Sequence, residues 1–523
     1  MKNLFKIFTA AAFLTATFSS CKKDLNITPT NDITGDQVYA TADGYKSVLI
    51  KTYASFATTS GKGSGTSDLG GIDAGSSDFI RLYWNAQELS SDEGLCVWGD
   101  LGVYDLDYSN YTADNIILQG LYTRSLYQIT VANLFLREST PEKLASRNIT
   151  STTDIANINN YRAEARFLRA YQYWVLMDTF GNPPFLTEDN QIGTTAPQQI
   201  KRADLYKYVE SELLAIEPIL LTTNDYGRAT RGAADMLLSR LYLNAPVYSP
   251  GTTKYTESIT YANKVINGGY SLESKYQNLF LSDNNLDNKE TILSINYDGN
   301  VTQNYGGTTF IINGSISSDM NPASFGVPNG GWVGLHMRST VSSLMTDTAD
   351  HRRMLYGDKA ENDAIAVFTD GLRVTKWKNI NQAGVTASSV NGTFSSVDFP
   401  LFRLPEAYLN LAEAVLRGGA GATTGDAIAA VNKLRVRAYG NTNGNVASLT
   451  LDDILTERAK EFYWEGYRRT DLIRFGKFTG GSYIWPFKGG VQAGTALADT
   501  KSIFPIPTTD IIANPNLTQN PGY

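Results

Sequence analysis

The sequence predicts a mainly α-helical fold that carries a loop-rich, partly β face. In successive segments before residue 270 and again after residue 400, apolar side chains return every three or four positions, the spacing of a helix that buries one face. Between residues 271 and 400 that spacing disappears, and Gly, Asn, Ser and Asp dominate. Long loops in a compact protein usually carry function, so we expect the functional face to draw on this middle region.

The first 20 residues have the composition of a secretory signal peptide. Two lysines precede an apolar run from Ile7 to Phe18, and Cys21 follows two serines. Twelve helical residues span only about 18 Å, which is too short to cross a bilayer, so the run is typical of an exported precursor. A cysteine directly after small residues is similar to a bacterial lipobox. We therefore expect lipidation at Cys21 and a lipidated tether over residues 21–40.

The helices predicted before residue 270 follow one another in pairs. The clearest spans 161–180, where Tyr171 and Trp174 share one apolar face and Gly181, followed by two prolines, ends the helix. Small residues at the expected contacts allow close packing, which resembles tetratricopeptide-like stacking without its strict 34-residue consensus. The predicted helices are 42–56, 113–138, 161–180, 204–220, 231–245 and 255–270.

The middle region predicts strands, and the C-terminal region returns to helices. Residues 290–297 and 308–315 have the apolar composition of strands. Thr450 and Asp453 stand at capping-box spacing before the segment ERAKEFYWEGYRRTDLIRFGKF, residues 457–478, whose apolar stripe predicts one continuous helix. The helices predicted here are 401–418, 425–438 and 452–475.

Composition and charge exclude one class of partner and indicate another. The net charge is −7 and no long basic run occurs, so the chain lacks the clustered Lys and Arg that nucleic acid requires. Thirty tyrosines and seven tryptophans are more rings than a core usually needs, so some are available for ligands. With Cys21 lipidated, Cys96 has no partner for an intrachain disulfide, and we expect it to be buried.

No residue set has the spacing of a known catalytic motif. Glu461 and Glu465 are the best candidates for a glycosidase pair, but arginines beside them on the predicted helix favour a salt-bridged scaffold. We expect His336 to be a hydrogen-bonded polar residue and His351 to lie on the surface. Residues 283–290 could offer oxygen ligands to Ca²⁺ but lack the EF-hand pattern, which favours a plain turn and no cofactor.

Aromatic residues in Gly-rich loops are the candidate ligand contacts. Trp98 lies in CVWGDLG, Trp332 in PNGGWVG, and Tyr305 directly before two glycines. Aromatic rings offer broad apolar surfaces for sugar faces, and planar polar side chains offer partners for sugar hydroxyls. The alternative for each tryptophan is that it anchors its loop to the core.

Several stretches carry a resemblance to a known family. They are the segment 457–478, the ending FPIPTTDIIANPNLTQNPGY, and the internal runs EARFLRAYQYW, GRATRGAADMLLSRLYL and LPEAYLNLAEAVLRGGA. Over most of residues 40–523 the chain resembles the SusD/RagB family of outer-membrane nutrient-binding lipoproteins. The resemblance implies a SusD-like helical region at 41–270 and a RagB/SusD region at 271–523, packed as one compact unit.

The run ELSSDEGLCVWGD resembles the starch-type members of this family, which bind α-glucan through an arc of aromatic residues. The resemblance therefore implies a set of binding residues in this chain. They are Trp98, Tyr305 and Trp332 for the arc, with Tyr297 as an alternative to Tyr305, and Asp73, Arg81 and Asp100 for a polar rim.

The same resemblance implies a cell-surface lipoprotein of the outer membrane that binds a glycan without cleaving it. The implied partner is a SusC-like, TonB-dependent transporter to which the glycan is delivered. Two alternatives stay open: a surface glycoside hydrolase, and a peptide-binding or adhesive surface lipoprotein.

Overall fold

The computed structural model describes residues 35–190, 193 and 195–523. The expected signal peptide, Cys21 and most of the expected tether lie outside these residues. The helices are α1 Gly35–Val38, α2 Ala42–Ala57, α3 Phe79–Trp84, α4 Val103–Asp107, α5 Ile116–Glu138, α6 Pro141–Ser146, α7 Thr152–Thr179, α8 Arg202–Ile216, α9 Arg231–Leu243, α10 Ala245–Tyr248, α11 Tyr255–Ile266, α12 Gly307–Ser315, α13 Ser339–Ser342, α14 Leu404–Leu416, α15 Thr424–Tyr439, α16 Leu451–Phe462, α17 Arg468–Arg474 and α18 Thr508–Ala513.

Three short antiparallel strand pairs accompany the helices in the described residues. The strands are β1 Gly94–Cys96, β2 Thr291–Ile295, β3 Leu335–Met337, β4 Leu355–Tyr356, β5 Arg373–Val374 and β6 Phe399–Arg403. They pair as β1 with β3, β2 with β6, and β4 with β5. The prediction of a mainly helical protein with a partly β face is therefore confirmed, as is the strand predicted at 290–297.

The helices stack in the order in which they occur, which confirms the tetratricopeptide-like arrangement. α7 packs between α5 and α8, α9 packs against α11, α11 packs against α14 of the second half, and α14 packs against α15. Small side chains allow the close approach. The hydroxyl of Ser258 on α11 donates to the carbonyl of Ser239 on α9 at 2.9 Å, and the Ser239 hydroxyl donates back to the Ser258 carbonyl at 3.1 Å.

The predicted single helix at 457–478 is wrong, because the chain breaks between α16 and α17. Trp464 and Gly466 adopt left-handed backbone conformations, with φ of 65° and 80°. The N–H of Trp464 donates to the Glu93 carboxyl group at 2.6 Å, and the N–H of Gly466 donates to Glu88 at 2.5 Å. These buried carboxyl groups accept hydrogen bonds from backbone N–H groups that, in a continuous helix, would donate to backbone carbonyls. The predicted capping box at Thr450 and Asp453 is confirmed.

The second predicted strand, 308–315, is also wrong, since these residues form the buried helix α12. All residues of α12 are buried, and a short apolar run of this kind has no periodicity that separates a buried strand from a buried helix. The helix predicted from residue 161 begins earlier, at Thr152, and residues 401–403 belong to β6 rather than to a helix.

The largest hydrophobic cluster contains residues from both halves of the chain, from Phe56 to Leu517. Cys96 is buried within it and is a free thiol. Within the part of the chain that the structure describes, no helix combines the length and apolarity needed to cross a membrane.

Candidate ligand-binding site

The pairing of β1 with β3 brings two of the predicted aromatic residues together. The N–H of Val97 donates to the carbonyl of Gly334 at 2.9 Å, which extends the strand pair by one step. The indole N–H of Trp98 donates to the carbonyl of Val333, also at 2.9 Å. The loop that carries Trp332 is fixed in turn on α12, since the Trp332 N–H donates to the Asn313 carbonyl at 2.7 Å.

The three predicted rings form one row, which we call the aromatic arc. The ring centroids of Trp98 and Trp332 lie 6.4 Å apart, and those of Trp332 and Tyr305 lie 6.3 Å apart. Tyr305 is 41% exposed, and both tryptophans are partly buried. The arc therefore offers neighbouring ring surfaces, although Trp98 lies more than two hundred residues before Tyr305 and Trp332 in the sequence.

Buried groups beneath the arc hold the rings in place. The ring of Phe310 lies 5.9 Å from Trp98, and that of Phe394 lies 5.2 Å from Tyr305. At Gly334 a Cβ atom would lie 2.1 Å from the indole nitrogen of Trp98, so only glycine allows this approach. Trp98 thus anchors the 332–334 loop, as the alternative interpretation expected, and its ring also lies beside that of Trp332.

The three predicted rim residues line one depression, which we call the polar cleft. Asp73, Arg81 and Asp100 surround a volume of about 460 Å³ together with Asn85 and Leu101, among others. Leu101 is 81% exposed and forms an apolar edge beside these polar groups.

Arg81 connects the polar cleft to the aromatic arc. Its guanidinium lies 4.5 Å from the ring centroid of Phe310, and its Nη1 donates to the carbonyl of Tyr305 at 3.3 Å. Burial lowers the pKa of the Arg81 guanidinium, and the carboxylates of Asp100 and Asp73 are among the groups that oppose this shift. The predicted rim and the predicted arc are therefore parts of one continuous surface.

Sequence reasoning missed Asp78, which positions both parts of this surface. One oxygen of its buried carboxyl group accepts the N–H of Arg81 at 2.9 Å, which caps α3, and the N–H of Gly307 at 2.8 Å, which fixes the turn after Tyr305. Its place as the N-cap of α3 is visible in the sequence DFIRLYW. Its contact with Gly307 has no local signal in the sequence.

Tyr297, the alternative to Tyr305, does not face solvent. It is 5% exposed, and its ring lies beneath Gly307, where a Cβ atom would approach it to 2.4 Å. Tyr305 is therefore the residue that can present a ring to a ligand at this end of the arc.

The chain is similar to proteins of one known family. A family model described as the SusD family matches residues 222–523. The chain is also 35% identical to the starch-binding protein SusD of Bacteroides thetaiotaomicron, over 100% of this chain and 99% of that protein. This chain belongs to the SusD family.

Further matches agree with this assignment. A model described as starch-binding and associating with the outer membrane matches residues 80–243. The fold is similar to surface glycan-binding protein A from Bacteroides uniformis, with a TM-score of 0.71 and 24% identity over 92% of this chain and 99% of that one. It is also similar to a SusD homologue from Bacteroides thetaiotaomicron, with a TM-score of 0.72 and 21% identity over 94% and 99%.

In this SusD-family protein the carboxylates of Glu461 and Glu465 belong to a buried charge network, which we call the Arg403 cluster. Arg403 contacts Glu461 and lies 2.7 Å from Glu465. Glu461 also meets Arg437 at 2.6 Å, and Glu465 meets Lys376 at 2.6 Å. Although burial raises the pKa of Glu461, the arginines around it hold that pKa well below its usual range.

The scaffold interpretation of this pair fits the structure, but the arginines predicted beside it have other partners. Arg458 pairs with Asp471 at 2.8 Å, and Arg468 pairs with Asp92 at 2.6 Å. Arg469 donates to the carbonyl of Ser502 at 2.9 Å. The break between α16 and α17 accounts for the positions of Arg468 and Arg469, which lie on α17, whereas Arg458 lies on α16.

The remaining candidates for chemistry are the two histidines and the segment 283–290. His336 is buried and contacts Asn362, but its Nε2 has no hydrogen-bond partner among the described residues, so the expected satisfaction is only partial. His351 is exposed, as predicted. In the segment 283–290, Asn288 accepts the backbone N–H groups of Glu290 and Thr291, which is the expected turn. The described residues contain no group of three or more His, Cys, Asp or Glu placed to hold a metal.

Proposed function

We propose that this protein is a surface glycan-binding protein that captures an oligo- or polysaccharide, with α-glucan as the first candidate. The observation that carries the proposal is the continuous surface formed by the aromatic arc and the polar cleft. The 35% identity with a starch-binding protein along the full chain supports it, as do the names of the structural neighbours.

The chemistry of the two parts suits a sugar chain. Ring surfaces of Trp98, Trp332 and Tyr305 can support the apolar faces of successive sugar units. The carboxylates of Asp73 and Asp100 can accept hydroxyl protons, and the Arg81 guanidinium can donate to hydroxyl oxygens. Because Arg81 lies between the arc and the cleft, one ligand can use both parts at the same time.

Binding without cleavage is part of the proposal. The carboxylates of Glu461 and Glu465 are buried and committed to cationic partners, so they cannot reach a glycosidic bond. The test is incubation of the purified protein with starch, other plant glycans and peptides, with chromatographic detection of products. Turnover that disappears in Glu461→Gln or Glu465→Gln would favour the hydrolase alternative instead.

The proposed location is the outer membrane, with a lipid on Cys21 and a SusC-like transporter as partner. The cysteine after the signal-like segment and the family description support this location. Each buried CH₂ group of a lipid contributes about 0.8 kcal/mol, so a lipidated Cys21 gives stable anchoring. Cys21→Ala should release the protein into the soluble fraction. A variant that stays with the membrane in cells lacking the transporter would exclude the anchor.

The binding proposal is tested by isothermal titration with maltoheptaose, cellohexaose and a peptide library. We expect saturable binding of a glycan to the native protein and about thirty-fold weaker binding in Trp332→Ala. Tyr356→Ala is the control, because Tyr356 is an exposed aromatic residue that lies outside the arc. Equal loss in both variants, or saturable binding of peptides alone, would contradict the proposal and favour the adhesive or peptide-binding alternative.

A further inference from the structure

A second cleft lies away from the arc, where the end of α8, the start of α9 and the end of α11 meet. Its volume is about 300 Å³, at the lower end of the range for small-molecule sites. We call it the Asp235 cleft. Its polar and aromatic lining is Glu217, Thr222, Arg231, Asp235, Lys264 and Tyr270. None of these residues belongs to the aromatic arc or the polar cleft.

Asp235 has an uncommitted carboxylate oxygen in this cleft. The residue is 4% exposed, and its Oδ1 has no hydrogen-bond partner among the described residues. The nearest cation, the ammonium of Lys264, lies 3.8 Å away, beyond hydrogen-bond distance. Burial raises the pKa of Asp235 to about 7, an effect that Lys264 and Arg231 oppose and Glu217 reinforces. A buried acceptor left unpaired costs free energy, which indicates a partner that the polypeptide does not supply.

The groups around Asp235 are already held in place. Lys264 donates to the Glu217 carboxylate at 3.2 Å, and Arg231 donates to the Glu217 carbonyl at 3.1 Å. The hydroxyl of Tyr270 lies 3.3 Å from that of Thr230. A ligand that enters therefore meets fixed donors, fixed acceptors and a fixed ring, which lowers the entropy cost of binding.

The charges of the lining balance. With Asp235 ionised, Arg231 and Lys264 offset Glu217 and Asp235, so the cleft as a whole then carries no formal charge and favours a neutral ligand over an ion. Asp235 can accept a hydroxyl proton, the N–H groups of Arg231 and Lys264 can donate to hydroxyl oxygens, and Tyr270 adds an aromatic ring. This combination of polar groups around one ring suits a polyhydroxylated molecule.

The cleft continues into a neighbouring one of about 310 Å³, with which it shares Thr222, Gly268 and Tyr270. The neighbour adds the amide groups of Asn224 and Asn288 and a second, 38% exposed ring on Tyr226. The two clefts together give a groove with tyrosines in both parts, longer than a single sugar unit needs.

We propose that this groove is a second saccharide-binding site, in which Asp235 accepts a hydroxyl of a neutral sugar and Tyr270 supports its ring. The site is separate from the arc, so it would let one protein hold a glycan at two places. Two weak sites on one protein raise the overall affinity for a polysaccharide through effective concentration.

The experiment removes two rings of the arc and measures whether the protein still binds a sugar. Saturation-transfer NMR is measured with maltotriose, cellotriose and chitotriose on the double variant Trp332→Ala/Tyr305→Ala. We expect transfer to at least one of these sugars and a five-fold or greater loss of affinity when Asp235→Asn is added. No transfer to any of the three sugars would overturn the proposal. Binding by the native protein alone would support the arc while rejecting the second site, so the two failures are distinguishable.

Two further variants serve as controls, one for a general charge effect and one for a loss of stability. Asp363→Asn removes an exposed carboxylate that lies outside the groove and outside the arc, and it should leave affinity unchanged, because Asp363 already pairs with Lys359 at 2.7 Å. An equal loss in Asp363→Asn would show a general charge effect and reject the role of Asp235. Tyr270→Leu provides a second test of the groove if Asp235→Asn lowers the melting temperature, and retained affinity in a folded Tyr270→Leu protein would also reject the proposal.

Discussion

The Arg403 cluster and the aromatic arc both concentrate side chains that stand out in the sequence, yet the two regions use them in opposite ways. In the cluster, each of Arg403, Glu461 and Glu465 meets two or more partners inside the protein. In the arc, Trp98 is held by its bond to Val333 and Tyr305 packs on Phe394, while all three aromatic residues remain at least partly exposed. A dense charged motif therefore marks the scaffold here, and aromatic residues in glycine-rich loops mark the candidate site.

The largest effect on stability is expected for a substitution that removes Arg403 from the cluster and leaves the arc intact. Arg403→Ala leaves the carboxylates of Glu290, Glu461 and Glu465 buried with fewer cations, which should lower the free energy of unfolding by about 3 to 5 kcal/mol. Denaturant titration measures this loss. Lys207→Ala, which removes an exposed pair with Asp204, is the control and should change stability by less than about 1 kcal/mol. Equal effects would show that the cluster adds little to stability.

The second prediction compares two kinds of buried carboxyl group by their response to pH. Glu88 and Glu93 are neighbouring buried carboxyl groups; burial raises the pKa of Glu93 to about 7 and holds the pKa of Glu88 well above its usual range. Because the folded state holds the Glu93 proton more tightly than the unfolded state, the stabilising contribution of that proton is full below about pH 4.5 and is lost as the pH rises through 7. Over this interval the free energy of unfolding should fall by about 3 kcal/mol.

Glu461 should show the opposite dependence, because its pKa is lowered in the folded state and its contribution is lost as the pH falls below about 4.5. The measurement is the free energy of unfolding of the native protein, Glu93→Gln and Glu461→Gln between pH 3 and 8. Glu93→Gln should remove the decline toward neutral pH. An unchanged slope in that variant would contradict the raised pKa of Glu93.

The third prediction separates the two tryptophans of the arc. Trp332→Ala should weaken glycan binding about thirty-fold, since loss of an aromatic anchor costs about 2 kcal/mol, and should leave the melting temperature nearly unchanged. Trp98→Ala should weaken binding and also lower the melting temperature, because its indole holds the Val333 carbonyl and packs on Phe310. Titration and thermal melting of both variants check this. A Trp332→Ala protein with a much lower melting temperature would show that Trp332 stabilises the fold, and its assignment to the binding site would then be wrong.

The smallest expected effect concerns Arg81, which joins the two parts of the site. Arg81→Lys keeps the positive charge but loses the guanidinium that covers Phe310 and bonds the Tyr305 carbonyl. We expect about five-fold weaker binding, equivalent to about 1 kcal/mol, with little change in stability. Titration with the glycan bound by the native protein measures it. Unchanged affinity would show that the cleft and the arc bind independently.

The sequence was most informative where the pattern is local. Apolar spacing located the helices, and glycines beside Trp98 and Trp332 predicted rings that the β1–β3 pairing then brought together. Prediction from the sequence failed where residues distant in the sequence determine the backbone conformation. Nothing near residues 457–478 shows that Glu88 and Glu93 will bend them, and α12 lacked a periodic face because all of it is buried. The Asp235 cleft was not predictable either, since an unpaired oxygen is a property of the assembled structure.

The bent link between α16 and α17 also bears on how the chain is made. The donors of Trp464 and Gly466 meet carboxyl groups that lie 371 and 378 positions earlier in the chain. During synthesis those acceptors emerge long before the groups that satisfy them, and contacts of such long sequence separation form slowly. We therefore expect ribosome-released fragments ending before residue 464 to be open and prone to aggregation, and the final sixty residues to complete the native structure.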